Sequence, residues 1–212
     1  MHTFLCSAIL FDLDGVLVDS TPAVAGWWRI WARENDVDAE EVLKVMHGRP
    51  TIDVVRLMTP HLDAAAEARK IEQRASGNDD VTAMPGAAEL LRSLPVGRWG
   101  VVTSGTRGPA TARLRFVGLP VPRVFVTADD VTKGKPDPEP YLQGARLLGM
   151  QPAECLVIED APLGIHSAHA GGMKVIGLAT TFPAELLAAD AVANTLQQIR
   201  VTAEGSGLKV EV

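Results

Sequence analysis

The sequence predicts an α/β fold, a Rossmann-like parallel-sheet core with a small α-helical domain inserted after the first strand. Five short runs, at 7–11, 99–103, 124–127, 156–159 and 174–178, are nearly continuous in apolar character. Strands buried on both faces of a parallel sheet read this way. Helical patterns at 109–117, 139–148 and 163–170 separate the later runs, so strands and helices alternate as right-handed crossovers require. The long stretch between the first and second runs shows helical periodicity and no convincing strand.

Taken in order, the first run ends in Phe11-Asp12-Leu13-Asp14-Gly15, where a glycine permits a tight turn. Helical patterns follow at 21–35, 39–46, 51–58 and 63–76, with Thr51 and Asp63 standing where N-caps are expected. Four helices are too many for a crossover. The reading is a helical cap domain over 17–83, with the α/β core formed by 1–16 and 84–212 and hinges near 15–20 and 80–85. Trp27 and Trp31, four apart, share a helix face, with Trp28 about 100° around; all three are expected in the cap's own core and its contact with the main domain. The last segment, 202–212, reads equally as a short strand or a loose tail.

The chain has 212 residues, 47% of them hydrophobic, enough for a sizeable core. Its net charge of −6 and lack of a basic stripe argue against nucleic-acid or anionic-membrane partners. No apolar run approaches the roughly 20 residues that span a bilayer. The opening residues lack the basic region of a signal peptide, so a cytoplasmic protein is expected. Cys6 and Cys155 each sit in an apolar run and are expected as buried free thiols.

In open α/β sheets, ligands bind at the carboxyl ends of the strands, and the polar clusters fall there. Acids at the end of a buried strand are costly unless a cation compensates them. Alternation along the first strand points Asp12 and Asp14 the same way. One such carboxylate can attack phosphorus, and a second can protonate a leaving oxygen. Alone, the pair fits a polar turn about as well. The second strand ends Thr103-Ser104-Gly105-Thr106, whose hydroxyl and backbone N–H groups suit phosphate oxygens or, equally, a helix N-cap. The third leads to Lys133-Gly134-Lys135-Pro136-Asp137-Pro138, a lysine-bearing rigid loop or a solvated turn. The fourth ends Glu159-Asp160, an acid pair suited to a hard cation or to a helix N-terminus. Each cluster alone is ambiguous; their ordered succession at strand ends of one sheet favours a single site.

This ordered set resembles the haloacid dehalogenase superfamily of phosphatases and phosphotransferases with a helical cap after the first motif. The likeness runs over nearly the whole chain, to about Phe182. His47-Gly48-Arg49-Pro50-Thr51-Ile52-Asp53, Thr103-Ser104-Gly105-Thr106-Arg107 and Glu159-Asp160-Ala161-Pro162 are similar to the glycerol-3-phosphate and 2-deoxyglucose-6-phosphate phosphatase group. Ala161 departs from the Ser or Thr of many superfamily members but matches that narrower group. The resemblance implies that Asp12 is the nucleophile and Asp14 the general acid and then base. It implies Mg²⁺ held by Asp12, the Asp14 carbonyl and Asp160, with Glu159 a ligand through water or a support. Thr103, Ser104 and Lys135 would grip the phosphoryl group. Asp14 also points away from the dehalogenases, which lack it, since a halide needs no proton.

The cap must select the leaving group. Lys44, His47, Gly48 and Arg49, between the second and third cap helices, are the candidates. The implied activity is hydrolysis of a small sugar or polyol phosphate by a monomer or weak dimer. The alternatives are a β-phosphoglucomutase-like phosphotransferase and a non-catalytic metabolite-binding protein on the same fold. His166 and His169, three apart, are expected on a packed or exposed helix face rather than at a metal.

Overall fold

The computed structural model of the chain describes residues 2–74, 80–205 and 207–212. The N-terminal part contains β1 (Thr3–Cys6), β2 (Ala8–Phe11), β3 (Val18–Asp19), α1 (Thr21–Glu34), α2 (Ala39–Val45), α3 (Thr51–Met58), α4 (Ala64–Arg74) and β4 (Thr82–Ala83). Then come α5 (Ala87–Ser93), β5 (Trp99–Val102), α6 (Arg107–Phe116), β6 (Val124–Val126), α7 (Glu139–Leu148), β7 (Cys155–Glu159) and α8 (Pro162–Ala170). The chain closes with β8 (Lys174–Leu178), β9 (Ala191–Ala193), β10 (Arg200–Glu204) and β11 (Gly207–Glu211).

The main sheet runs β6-β5-β2-β7-β8-β9, and every pairing in it is parallel. The five expected strands are therefore present, and β9 adds a sixth. Two apolar layers cover the faces. Ile9, Phe11, Leu156 and Ile158 face one layer, while Leu10, Val157, Tyr141 and Ile165 belong to the other. Side chains alternate between the faces along each strand, so both faces must be apolar and the runs read as continuous. Burial on this scale is the main stabilising term, at roughly 25 cal/mol per Å² of apolar surface. Cys6 and Cys155 are buried free thiols, as expected, and burial pushes both up to about 11.

The 202–212 segment is neither a lone strand nor a tail. β10 and β11 form a hairpin, and β11 pairs antiparallel with β1, giving a second sheet β1-β11-β10; residue 206 lies outside the described residues.

Helices α1–α4 are inserted between β3 and β4 and share a buried cluster of Trp28, Trp31, Val42, Val54, Val55 and Ile71. Trp28 and Trp31 meet edge to face at 5.3 Å, the favoured arrangement for an aromatic pair. Trp27 is half-buried between this cluster and the main core, so it is Trp28 rather than Trp27 that pairs with Trp31. The Trp31 indole N–H donates to Glu67 at 3.0 Å, satisfying a buried donor. Lys70, then Trp31, hold the Glu67 carboxyl below its usual range against burial.

Asp63 caps α4 as expected, accepting from Ala65 N and Ala66 N. The expected end of that helix, 75–76, lies outside the described residues. Thr51 does not cap α3: Pro50 occupies the N-cap, and Thr51 is the first helical residue. A proline there needs no N–H partner and has a suitable φ. The segment is also not free of strand, because β3 and β4 pair antiparallel at its base (Val18↔Ala83, Asp19↔Thr82). These two chain crossings sit where the hinges were expected.

Candidate active site

Strand alternation builds the floor of the site. Asp12, one residue past β2, continues the side of Leu10, and Glu159 at the end of β7 continues that of Val157. The register pairs Phe11 with Ile158, which makes Asp12 and Glu159 neighbours; the Asp12 N–H also donates to the Ile158 carbonyl at 3.0 Å. Lys135, in the loop before α7, reaches both from below. Its Nζ donates to Asp12 Oδ1 at 2.5 Å, Glu159 Oε1 at 2.7 Å and the Val102 carbonyl at 3.2 Å. The ammonium also lies 4.9 Å from the centre of the Tyr141 ring, a cation–π distance. The Tyr141 hydroxyl and the Ala161 N–H complete the partners of Glu159. Both of its oxygens are thus engaged by the protein.

Glu159 fits only because residue 164 is glycine. A Cβ there would lie 1.6 Å from Glu159 Oε1. Gly15 plays the same part beside Asp160. With φ +81° it turns the chain after Asp14, and a Cβ on it would lie 2.0 Å from Asp160 Oδ2.

Asp12, Glu159 and Asp160 are buried and present oxygens that all lie within 4.8 Å of one another. One lysine faces three acids. Burial, reinforced by Glu159 and Asp14, pushes the Asp12 carboxyl up to about 7 despite Lys135. Burial, with Glu159 and Asp12 beside it, pushes Asp160 well above the carboxylate range. Burial also opposes the charge on Lys135, but Asp12 and Glu159 outweigh it and keep the ammonium protonated. An oxygen-rich cluster with surplus negative charge is the donor set of a hard divalent cation. The residues present fit such an ion.

A cavity of about 120 Å³ opens above this floor, lined among others by Asp12, Asp14, Thr103, Ser104, Glu159 and Asp160. The inserted helices and the segments beside them supply its other wall, including Ser20, Thr21, Trp28, His47, Arg49 and Thr51. Asp14 lies in the turn beyond β2, outside the regular strand, yet it lines the same cavity as Asp12. Thr103 is buried, and its hydroxyl accepts from Gly105 N; Ser104 donates across to the Gly48 carbonyl at 3.3 Å. Lys135 lines a second, adjacent cavity with Thr103, Ser104 and Pro50.

Of the four residues considered in the insertion, His47, Gly48 and Arg49 line the main cavity. Lys44 does not; it is exposed on α2 and pairs with Glu41 at 2.5 Å. His47 meets the Phe182 ring edge to face at 6.0 Å, and burial lowers its pKa, favouring the neutral imidazole. Gly48, at φ +74°, sits where a Cβ would be 3.0 Å from Ala161 Cβ, so small residues on both sides let the insertion touch the core. His166 is exposed and His169 pairs with Asp190, in keeping with a helix-face role.

Sequence reasoning did not reach Arg113 or Ser20. Arg113 projects from α6 and donates from Nη1 to both Asp14 oxygens, at 2.7 and 2.8 Å. The Ser20 hydroxyl donates to Asp14 Oδ1 at 2.5 Å. The sequence offered a signal for Ser20, a hydroxyl six residues past the strand-end acid Asp14 and directly before α1. It offered none for Arg113, one of three arginines in its helix.

Comparison with known proteins agrees with this geometry. The profile of the family described as haloacid dehalogenase-like hydrolase matches residues 9–178. Hexitol phosphatase A of Escherichia coli is 45% identical over 95% of this chain and 97% of its own length. Glycerol-1-phosphate phosphohydrolase 2 of Saccharomyces cerevisiae is 37% identical over 92% of this chain and 84% of its own. The crystal structure of a hydrolase from Pseudomonas syringae superimposes with a TM-score of 0.75 at 28% identity, covering 89% of this chain and 93% of that one. With its ordered acids, its parallel sheet and these relatives, the chain belongs to the haloacid dehalogenase-like hydrolases.

Proposed function

We propose that the protein is a Mg²⁺-dependent phosphatase that hydrolyses a small sugar or polyol phosphate through an aspartyl-phosphate on Asp12. The observation that carries this reading is the buried meeting of Asp12, Glu159, Asp160 and Lys135 beneath a cavity that Asp14 also lines. In this reading an Asp12 carboxylate oxygen attacks phosphorus. The bond from phosphorus to the ester oxygen breaks, and that oxygen takes a proton from Asp14 and leaves as an alcohol. Water then attacks the phosphorus of the aspartyl-phosphate, Asp14 takes its proton, and inorganic phosphate departs with Asp12 restored. Phosphoryl transfer depends mostly on position and charge neutralisation, which the lysine and the acid cluster are placed to serve.

Asp12, Asp160 and the Asp14 carbonyl would hold Mg²⁺, which when bound would neutralise the acids and draw charge from the phosphoryl oxygens. Glu159, with both oxygens already accepting, serves as support and anchors Lys135. Thr103 and Ser104 would take phosphoryl oxygens through hydroxyl and backbone N–H groups.

The insertion over 17–83 acts as the cap and chooses the leaving group. A cavity this small, walled by Ser20, Thr21, Thr51, neutral His47 and Arg49, suits a short polyhydroxyl chain. The names of the hexitol and glycerol phosphate relatives support the same class. The enzyme is read as cytoplasmic, and as a monomer or weak dimer. The test is phosphate release from a panel of small phosphate esters with Mg²⁺, with Asp12→Asn as control. Phosphate from polyol or sugar phosphates, abolished in Asp12→Asn, is expected. An isomerised sugar phosphate without phosphate release would indicate a mutase, and full turnover by Asp12→Asn would remove Asp12 as nucleophile.

A further inference from the structure

We propose that Arg113 is a positioning residue for the Asp14 carboxyl group, clamped in turn by Trp27 of the inserted helices. Proton delivery to the leaving oxygen is thereby tied to the seating of α1 on the core. This rests on the reading of Asp14 as proton donor and acceptor.

Asp14 has no strand to fix it, because β2 ends at Phe11. Its side chain is set by two contacts that the regular fold does not supply. Arg113 Nη1 bridges both oxygens at 2.7 and 2.8 Å, and the Ser20 hydroxyl holds Oδ1 at 2.5 Å. Together they fix the plane and rotation of the carboxyl group. Arg113 is itself buried, its side chain 8% exposed, and its Nε has no hydrogen-bond partner among the described residues. A buried arginine with an idle donor costs free energy, so its place needs compensation. The compensation comes from Asp14 and from the Trp27 ring, whose centre lies 5.4 Å from the guanidinium carbon.

These contacts join three parts of the chain. Arg113 stands on a core helix 99 residues from Asp14, while Trp27 belongs to the first helix of the insertion. Displacing α1 removes the aromatic lid from the guanidinium and so loosens the hold on Asp14. In the first chemical step the proton moves from Asp14 to the ester oxygen as the phosphorus–oxygen bond breaks. Misplacing the acid by about 1 Å can cost on the order of 100-fold in rate.

The experiment uses the full chain with Mg²⁺ and enzyme in excess, so that only the first release of leaving group is followed. Glycerol phosphate has an alkoxide leaving group that needs the proton; 4-nitrophenyl phosphate releases a phenolate that does not. For Arg113→Met we expect the first turnover of glycerol phosphate to slow by about 10- to 100-fold, and that of 4-nitrophenyl phosphate by less than about 3-fold. Arg113→Lys, which restores a charge without the planar fork, should recover part of the loss. Trp27→Leu should show the same selectivity in smaller measure, and it keeps the test available if Arg113→Met does not fold. Equal losses on both esters, or none, would overturn the proposal while Asp14→Asn still discriminates between them. If Asp14→Asn does not discriminate, the reading of Asp14 fails and the proposal with it.

Discussion

Substituting Gly164 by alanine sets two physical effects against each other. Gly164 lies in the first turn of α8, and on helix propensity alone alanine stabilises by up to about 1 kcal/mol. The structure argues the opposite sign. A Cβ at this position would fall 1.6 Å from Glu159 Oε1 and 2.1 Å from its Cδ, so the carboxylate must move. Oε1 accepts from Lys135 at 2.7 Å and from Tyr141 at 3.2 Å, and all three side chains are buried. Removing one partner of a buried ion pair costs about 3–5 kcal/mol; a carboxylate that shifts without being deleted makes this a ceiling. With the helix gain subtracted, the net loss is at most about 2–4 kcal/mol. Urea unfolding followed by circular dichroism reads it directly. At a slope of about 2–3 kcal/mol per molar urea, the midpoint should fall by up to about 1 M. A midpoint that is unchanged or higher would refute the claim that residue 164 must be glycine to seat Glu159 over Lys135.

Three further outcomes follow from the same geometry. Burial holds Asp12 at about 7 in the metal-free site, and a cation takes the ionised form. Burial holds Asp160, the other carboxylate ligand, up as well, so Mg²⁺ binding near and below pH 7 should release protons, with affinity rising as pH rises through that range; calorimetry in two buffers of different ionisation enthalpy measures this, and pH-independent binding would contradict it. Burial works against Asp190, yet hydrogen bonds from Lys174, the Val175 N–H and His169 hold it from 3.8 down to about 2. A depressed carboxylate stabilises above its unfolded pKa and loses that contribution as pH falls through its folded one. Asp190→Asn should thus cost on the order of 2 kcal/mol at pH 7 and little at pH 2, seen as converging thermal midpoints in acid. Gly48→Ala puts a side chain at φ +74° and within 3.0 Å of Ala161 Cβ, at a cost of about 1–2 kcal/mol. If that cost falls on the arrangement in which Gly48 touches Ala161, kcat/KM for a polyol phosphate drops roughly 5- to 30-fold, whereas an unaltered kcat/KM would mean the Gly48–Ala161 contact is not part of the reacting state.

The central strands were legible because burial on both faces leaves a local mark, an unbroken apolar run such as Ala8–Phe11 or Cys155–Glu159. Acids at the ends of such runs stand out for the same reason, which is why Asp12, Glu159 and Asp160 could be named before their contacts were known. What escaped was non-local or too short. β1 and β11 join residues 3–6 to 208–211, and β3 and β4 are two residues each. β9 is a three-residue run behind an irregular stretch, and α5 spans only two turns. Arg113 is the clearest case: its significance lies in a contact with Asp14 across 99 residues, and its helix looks ordinary. Lys44 errs the other way, since charge and position beside the loop suggested a ligand while its own helix offered Glu41 three residues away.

The claim on which the account depends is that Asp12 carries the phosphoryl group between substrate and water. Rapid acid quench of the enzyme during turnover of a polyol phosphate labelled with ³²P, followed by peptide mapping, measures this covalent bond itself. The label is expected on the peptide containing Asp12, absent in Asp12→Asn and lost on treatment with hydroxylamine, as an acyl phosphate is. Label on any other residue, or turnover with no protein-bound phosphate at any quench time, would contradict it.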